Sequence, residues 1–458
     1  MQDKHFNALT SISPLDGRYS DKSAPLRKYF SELALISARN RVELMHLLAL
    51  DETGLFPPLS EIERASVQLL IPGISEIDAV QIKKIENKTR HDVKALEYFL
   101  RERLGLQNPN LIHFGLTSED VNNIAWSYLF DLYLKEALIP RIKQMLKMLC
   151  NFAKENSEVP FPTRTHGQAA SPSTAGKEIA VFISRILRVF RSLKRFRFRG
   201  KLNGAVGNFS ALWAAFPNFN WQIYAKNLVE SFGFEFNPAV TQIEDHDSWA
   251  DFFDLVRRLN NIVIDLNQDI WNYLMLGFFS EQSSPNEVGS STMPHKVNPI
   301  RFENSEGNMM ISNSLLSMFS DKLVRSRMQR DLSDSTVTRN IGVALSHSWL
   351  GLGETMSGLE RVRVNSIACQ NDLKARPELL AEPIQTILRT KIGGDPYDLL
   401  KSLTRGHKID ESGIRSFVES LEISDEIKER LLALEVDKYV GVAPEICLRV
   451  VSETEKEL

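Results

Sequence analysis

A chain of 458 residues, 43% of them apolar and 25% charged, is long enough for two or three domains around a large buried core. Its net charge of −3 supplies no global field for nucleic acid or an acidic membrane, yet leaves room for a local cationic pocket. Three widely separated cysteines, Cys150, Cys369 and Cys447, build neither a disulfide framework nor a CxxC metal pattern and predict a reducing compartment. The start, Met1-Gln2-Asp3-Lys4-His5, has no apolar signal region, and no window approaches a membrane span, so a soluble cytoplasmic protein is expected.

Along the chain, polar segments alternate with helical stripes. Ser11 to Ser20 and Thr89 to Asp92 are polar, and residues 1–111 are expected to form an N-terminal helical domain. Gly115 to Asn123 follows, and the long helices begin near Asn122. Leu134, Leu138, Ile142, Met145, Leu149 and Phe152 make one apolar stripe, with Pro140 as an expected kink. After the Pro160 to Pro172 segment a second stripe runs through Ile179, Ile183, Ile186, Leu187, Phe190 and Leu193. Gly200 to Asn208 and Thr241 to Asp247 interrupt again. From Ala250 to Leu276 there is neither Gly nor Pro, and the apolar positions from Phe252 to Tyr273 predict one helix of roughly 40 Å. Ser280 to Pro299 is polar and suits a lid over substrate. Helices this long exceed the usual mean of about 12 residues. They predict an all-α fold with an elongated central bundle over residues 112–364, and such a bundle is expected to be covered by oligomerisation. Past Asn365 the stripes shorten around Pro377, Pro383, Gly393-Gly394 and Pro396, predicting a C-terminal helical domain over residues 365–458.

The interruptions carry the reactive side chains. Gly289-Ser290-Ser291-Thr292-Met293-Pro294-His295-Lys296-Val297-Asn298-Pro299 combines a permissive glycine, hydroxyls that exchange protons, and two groups, Lys296 and Asn298, that bind anions. Residue by residue it is also an ordinary serine-rich loop entering a helix. His166, in Thr163-Arg164-Thr165-His166-Gly167-Gln168, has the setting of a proton-exchanging imidazole, although a lone loop histidine is commonly structural. Thr89-Arg90-His91-Asp92 places a cation, an imidazole and a carboxylate side by side. Asp92 is expected to orient His91, with a plain salt bridge as the alternative. Leu116-Thr117-Ser118-Glu119-Asp120 reads as a helix N-cap followed by first-turn acids, and such a terminus also offers N–H groups to an anion. Arg330 and Arg339, with the hydroxyls around Ser335, supply planar forks for phosphate or carboxylate, though each alone reads as a surface ion pair. The run Arg185, Arg188, Arg191, Arg195 and Arg199 has no interleaved aromatics on its own helix face and sits in a chain without net positive charge, so it reads as a solvated or salt-bridged helix face, not a nucleic-acid interface. HExxH, Walker A, Gly-x-Gly-x-x-Gly and Gly-x-Ser-x-Gly are all missing, so metal, nucleoside-triphosphate and acyl-serine chemistries lack support.

The string from Gly289 to Pro299 resembles the Gly-Ser-Ser-x-Met-Pro-x-Lys-x-Asn-Pro signature of the fumarate-releasing lyases, a superfamily of fumarases, aspartases, argininosuccinate lyases and adenylosuccinate lyases. Every fixed position is matched, and further motifs follow in family order from Ser13 to about Asn340. His295 in the signature, Arg90-His91-Asp92 and Asp16-Gly17-Arg18-Tyr19 look like the adenylosuccinate lyase branch. Ala169 follows Gln168 where relatives often carry proline, a departure expected to alter loop packing more than chemistry. The resemblance implies β-elimination of fumarate from a succinylated purine nucleotide, with no cofactor and no metal, in a homotetramer whose subunits share active sites. It implies His166 as general acid and Ser290 as base, with Ser291 left open as the competing base. The substrate contacts it implies are Arg18, Tyr19, Arg90, His91, Asp92, Thr117, Ser118, Gln242, Ser291, Lys296, Asn298, Asn304, Arg330, Ser335 and Arg339. Glu303, seven residues after Lys296, is placed to orient it. Neither nucleic acid nor membrane is an expected partner. Two alternatives stay open: another fumarate-releasing lyase, such as an argininosuccinate lyase, and a non-catalytic relative of the crystallin kind.

Overall fold

The computed structural model describes residues 7–282, 293, 297–390 and 410–458. Helix makes up 67% of the structure, so the fold is all-α. The longest stripe becomes the single 29-residue helix Asp247–Met275. Phe252, Val256, Leu259, Val263, Leu266 and Ile270 are wholly buried along it. It stops where Gly277 turns left-handed at φ 74° and the Phe278 amide reaches back to the Tyr273 carbonyl at 2.9 Å. The second stripe is the helix Ala175–Lys194. The stripe expected to kink at Pro140 instead widens just before it, with Leu134–Leu138 forming a π turn ahead of the helix Ile139–Glu155. Proline has no amide to offer the carbonyl one turn earlier, and the wider spacing absorbs that lost bond without a break.

Strand is confined to the connections: among the described residues, eight strands of two or three residues pair as four two-stranded ribbons. Pro160–Phe161 pairs with Ser173–Thr174, and within that loop Arg164–Thr165 pairs with Gln168–Ala169, giving two nested antiparallel ribbons.

The chain divides into two compact units. One comprises Met1–Arg141, Val189–Asn261 and Glu306–Leu352; the other comprises Ile142–Arg188, Ile262–Ser305 and Gly353–Leu458. The first holds an apolar cluster running from Ile36 through Leu44, Leu47, Leu96 and Leu100 to Ile112. The second holds a smaller one built from Leu373, Leu380, Ile384, Leu388, Val418 and Leu431.

Each unit also fixes the register of its long helices with a buried amide. In the first, the Asn260 amide donates to Ser312 Oγ at 3.2 Å, while its carbonyl accepts the Ser348 hydroxyl at 2.7 Å. In the second, Asn267 donates to Ser305 Oγ at 2.9 Å and accepts from Thr355 Oγ1 at 3.0 Å. Both asparagines are essentially buried, so a shifted helix leaves several polar groups without partners at once.

Candidate active site

A cavity of about 700 Å³ opens in the first unit, and nine of the sequence-predicted contacts line it together: Arg90, His91, Asp92, Thr117, Ser118, Gln242, Arg330, Ser335 and Arg339. They arrive from four separate stretches of chain. Arg90 closes the helix Glu76–Thr89 in a left-handed conformation at φ 56°, and the backbone then enters the helix Asp92–Leu104 with His91 as its N-cap. Thr117 is the N-cap of the helix Ser118–Tyr133, where Asp120 reaches back to the Thr117 amide at 2.8 Å. The expected N-cap therefore holds, with Thr117 as the cap, and Thr117 and Ser118 both line the cavity. The Thr241–Asp247 segment brings Gln242, the turn into the short helix Ser333–Thr338 brings Arg330, and that helix and its C-cap bring Ser335 and Arg339.

One expectation about orientation is corrected. Asp92 does not hold the His91 ring, since its carboxylate lies 3.8 Å from Nδ1, beyond a hydrogen bond. Instead the Lys94 amide donates to His91 Nδ1 at 3.1 Å, because the ring acts as the N-cap acceptor. The neutral ring thereby carries its proton on Nε2, which lies 3.5 Å from Ser118 Oγ. Asp92 pairs with the guanidinium of Arg39 at 2.8 Å. Burial alone pushes the Asp92 carboxyl up, but the Arg39 charge and the Val93 amide outweigh it and hold the group below the usual carboxylate range.

Arg39, Glu119, Asn122, Trp126, His246, Trp249 and Asp334 also line the cavity and were not singled out from sequence. Five of the lining residues are joined in a chain of hydrogen bonds. Arg39 Nε donates to Asn122 Oδ1 at 2.9 Å, Asn122 donates to Glu119 Oε1 at 2.7 Å, and Arg330 Nη1 lies 3.0 Å from the same oxygen. Arg330 Nη1 also donates to Gln242 Oε1 at 3.2 Å, and Gln242 Nε2 to the Ala205 carbonyl at 2.9 Å. Glu119 fell inside the run already read as a helix start, and Asn122 where the long helices were expected to begin. Arg39 had one weak signal, a charge among the buried positions Leu35, Ile36, Ala38 and Val42. His246 lies flat on Trp249, with ring centroids 4.1 Å apart.

Arg18 and Tyr19 belong to the same unit but do not line this cavity; Arg18 is exposed and Tyr19 half-buried. His166, Asn298 and Asn304 belong to the second unit. His166 and Gly167 form the two-residue tip of the Arg164–Thr165 and Gln168–Ala169 ribbon, with φ of 53° and 75°. Two successive positive φ values are those of a type I′ turn, in which a glycine at the second place is favoured. For His166 the left-handed backbone costs about 1–2 kcal/mol. In return its ring stands exposed at the tip. Arg164 anchors the ribbon through Asp372 at 2.8 Å, and Thr163 Oγ1 donates to the Ser171 carbonyl at 2.7 Å. Asn298 and Asn304 are half-buried, and exposed Glu303 accepts from Trp271 Nε1 at 3.1 Å. Ser290, Ser291 and Lys296 lie outside the described residues.

Cys150, Cys369 and Cys447 are all buried and unbridged. Burial pushes Cys150 and Cys447 up to about 11 and Cys369 up to about 12, so none is a thiolate nucleophile near neutrality.

A mainly helical chain whose connecting segments and helix ends converge on a polar, arginine-lined cavity fits the fumarate-releasing class of lyase, and the comparisons agree. A family described as "Lyase" matches residues 17–313, and one described as "Adenylosuccinate lyase C-terminal" matches residues 326–440. The adenylosuccinate lyase of Haemophilus influenzae is 42% identical over 448 residues, covering 96% of this chain and 98% of that protein. The adenylosuccinate lyase of Escherichia coli K12 is 42% identical over 446 residues, covering 95% and 98%. The chain belongs to the adenylosuccinate lyase family. The fold is shared more widely. A 3-carboxy-cis,cis-muconate lactonizing enzyme from Pseudomonas putida superposes with a TM-score of 0.75 at 20% identity, covering 94% of this chain and 97% of that one. A fumarate lyase from Mesorhizobium sp. BNC1 gives 0.77 at 18% identity with the same coverage.

Proposed function

We propose that this chain cleaves adenylosuccinate to AMP and fumarate, and cleaves the succinylated carboxamide ribotide of the same biosynthetic route to its carboxamide and fumarate. The observation that carries this reading is the convergence of nine family-implied contacts on one cavity. Its volume of about 700 Å³ suits a nucleotide-sized ligand. The substrate bears a phosphate and two carboxylates, and the cavity meets them with arginines, hydroxyls and the start of a 16-residue helix.

The reaction is a β-elimination. A base takes the proton from the carbon beside one carboxylate, the charge spreads into that carboxylate, and the C–N bond breaks as the departing nitrogen is protonated. Ser290 is the proposed base, with Ser291 as the competitor, and His166 the proposed acid. Lys296, Asn298 and nearby amides would stabilise the carbanion, the largest kind of contribution in such sites. Thr117 and Ser118 hold substrate oxygens, and His91, with Nε2 carrying its proton, donates toward the substrate.

A homotetramer with shared sites belongs to the same proposal. It is supported by apolar side chains left exposed on the helix Ile300–Lys322, namely Met310, Ile311 and Met318. No described helix is long and apolar enough to cross a membrane, and the buried, unbridged cysteines support a reducing, cytoplasmic setting. The test follows ultraviolet absorbance during incubation with adenylosuccinate, with argininosuccinate, malate and aspartate alongside. Selective turnover of adenylosuccinate is expected; turnover of another of these substrates in preference to it refutes the reading.

A further inference from the structure

Behind the cavity wall lies an ion pair that does not itself line the cavity, yet bonds to groups that do. Asp120 and Lys201 are both fully buried, with Nζ 2.8 Å from Oδ1. Two charges withdrawn from water in this way add little net stability, since their attraction mostly offsets lost hydration. Their effect is found in what else they hold. Asp120 Oδ1 also accepts the backbone amides of Asn203 at 3.0 Å and Gly204 at 3.3 Å, while Oδ2 accepts the Thr117 amide at 2.8 Å. Lys201 Nζ donates to the Gly204 carbonyl at 3.1 Å. Asn123 brackets the lysine backbone on both sides, accepting from Lys201 N at 2.9 Å and donating to Lys201 O at 3.1 Å.

These bonds close a ring. From Asp120 the path crosses to Gly204 and along the chain to Ala205, whose carbonyl takes Gln242 Nε2. Gln242 Oε1 takes Arg330 Nη1, and Arg330 pairs with Glu119, the residue before Asp120. Thr117, Gln242, Arg330 and Glu119 all line the cavity, whereas Asp120 and Lys201 do not. The ring therefore ties the hydroxyl-bearing helix start on one side to the guanidinium and amide on the other.

We infer that Asp120 and Lys201 are positioning residues that set the separation between these two groups of contacts, so that both anionic ends of one succinylated nucleotide are gripped at once. The inference rests on the cavity being the substrate site. A ligand with two ends gains from a fixed separation, because binding one end raises the effective concentration of the other. A ligand with one end gains nothing from it. The two products are such one-ended ligands: AMP keeps the phosphate and fumarate keeps the carboxylates.

The experiment compares wild type with Lys201→Met, Asp120→Asn and the double variant, which removes both charges at similar volume. Turnover of adenylosuccinate gives kcat and KM, and inhibition by AMP and by fumarate gives two Ki values. Loosening the ring is expected to raise KM for adenylosuccinate about 10- to 100-fold, the affinity lost when two linked contacts no longer match their span, with kcat changed less. Both Ki values are expected to stay within about threefold of wild type, since neither product spans the ring. Ki values that rise in parallel with KM overturn the inference, because that is general damage to the cavity. A double variant with wild-type KM overturns it, and so does one that no longer folds, because the pair would then act through stability. Absence of adenylosuccinate turnover in wild type is a different result: it removes the functional reading and this inference with it.

Discussion

Replacing Arg39 by methionine isolates one link of the cavity wall. The methionine keeps an apolar stem and removes a guanidinium that is only 7% exposed, and with it the 2.8 Å contact to Asp92 and the 2.9 Å bond to Asn122. A hydrogen bond to a charged partner contributes about 1.5–3 kcal/mol. Breaking a fully buried pair costs about 3–5 kcal/mol, but the Asp92 side chain is 28% exposed and water recovers part of that. The expected loss is therefore about 2–3 kcal/mol at neutral pH. Asp92→Asn removes the stranded charge, so the double variant is expected to lose less than the two single variants combined, with a coupling of about 1–2 kcal/mol. Urea unfolding followed by circular dichroism at one fixed protein concentration measures all four corners of the cycle. The pH dependence has a definite sign. Asp92 is held below its ordinary range, so its contribution is complete above the unfolded value of about 3.9 and is lost as pH falls through the lower folded value. The gap between wild type and Arg39→Met must then narrow in acid. A coupling below about 0.3 kcal/mol, or a gap that does not shrink on acidification, refutes the reasoning.

Other outcomes follow from the same structure. His46 is buried, with Nε2 on the Phe114 carbonyl at 2.9 Å and Nδ1 accepting from Tyr224 at 2.8 Å, and burial pushes it down to about 4. Because the unfolded chain takes up that proton first, stability falls as pH drops from about 6.5 towards 4, by about 3 kcal/mol in all, and His46→Gln should flatten that slope in acid-unfolding curves. An unchanged slope contradicts the assignment. Asn267→Leu strips partners from Ser305 and Thr355 and should lower the urea stability by about 1–3 kcal/mol; an unmoved midpoint shows the amide to be dispensable. His166→Ala and Ser290→Ala should each cut adenylosuccinate turnover by about two orders of magnitude or more with an unchanged circular dichroism spectrum, and near-wild-type turnover in either removes that residue from its role. Arg339→Ala should raise KM for adenylosuccinate about tenfold or more with kcat nearly preserved, and a KM unchanged at low salt argues against an anion contact there.

What was legible in the sequence was whatever a local pattern encodes. The Phe252–Tyr273 stripe specifies a helix because its apolar positions repeat at the helical period, and the capping residues Thr117 and Asp120 mark a start because they satisfy amides three residues apart. The wide turn before Pro140 was half legible: proline announces a disturbance but not whether the chain bends or widens. Arg39 was barely legible because its partners, Asp92 and Asn122, lie 53 and 83 positions away in the chain, and its place among apolar positions of its own helix marks a charge on a packed face without showing that the face borders a cavity. The same holds for Lys201, which reads as one more surface cation until Asp120 is found against it. His91 shows how a true local signal can be misassigned. Adjacency suggested its neighbouring carboxylate as the orienting group, whereas the helix it caps supplies an amide with better geometry.

The electrostatics of the cavity explain how it can receive a polyanion while containing five carboxylates. Glu86, Asp92, Glu119, Asp331 and Asp334 face four arginines in the lining, which on formal charge alone repels a phosphate and two carboxylates. Most of the negative charge is already engaged. Asp92 is neutralised by Arg39 and Glu119 by Arg330, and Asp331 accepts from the Ser333 hydroxyl and from the Ser333 and Arg327 amides, which together, the hydroxyl foremost, hold it down at about 2. Arg90 and Arg339 have no ion-pair partner among the described residues. The arginines of the wall therefore fall into two groups. Arg39 and Arg330 are built into hydrogen-bonded chains that hold shape, and Arg90 and Arg339 keep their full charge for a ligand. Arg330 does both to a degree, since the Nη1 group that bonds Glu119 and Gln242 leaves the rest of its fork available. If the cavity is the substrate site, a variant at Arg90 or Arg339 should accordingly show its effect in the salt dependence of KM, and a variant at Arg39 in folding stability, because of the four arginines lining the cavity only Arg90 and Arg339 lack an ion-pair partner among the described residues.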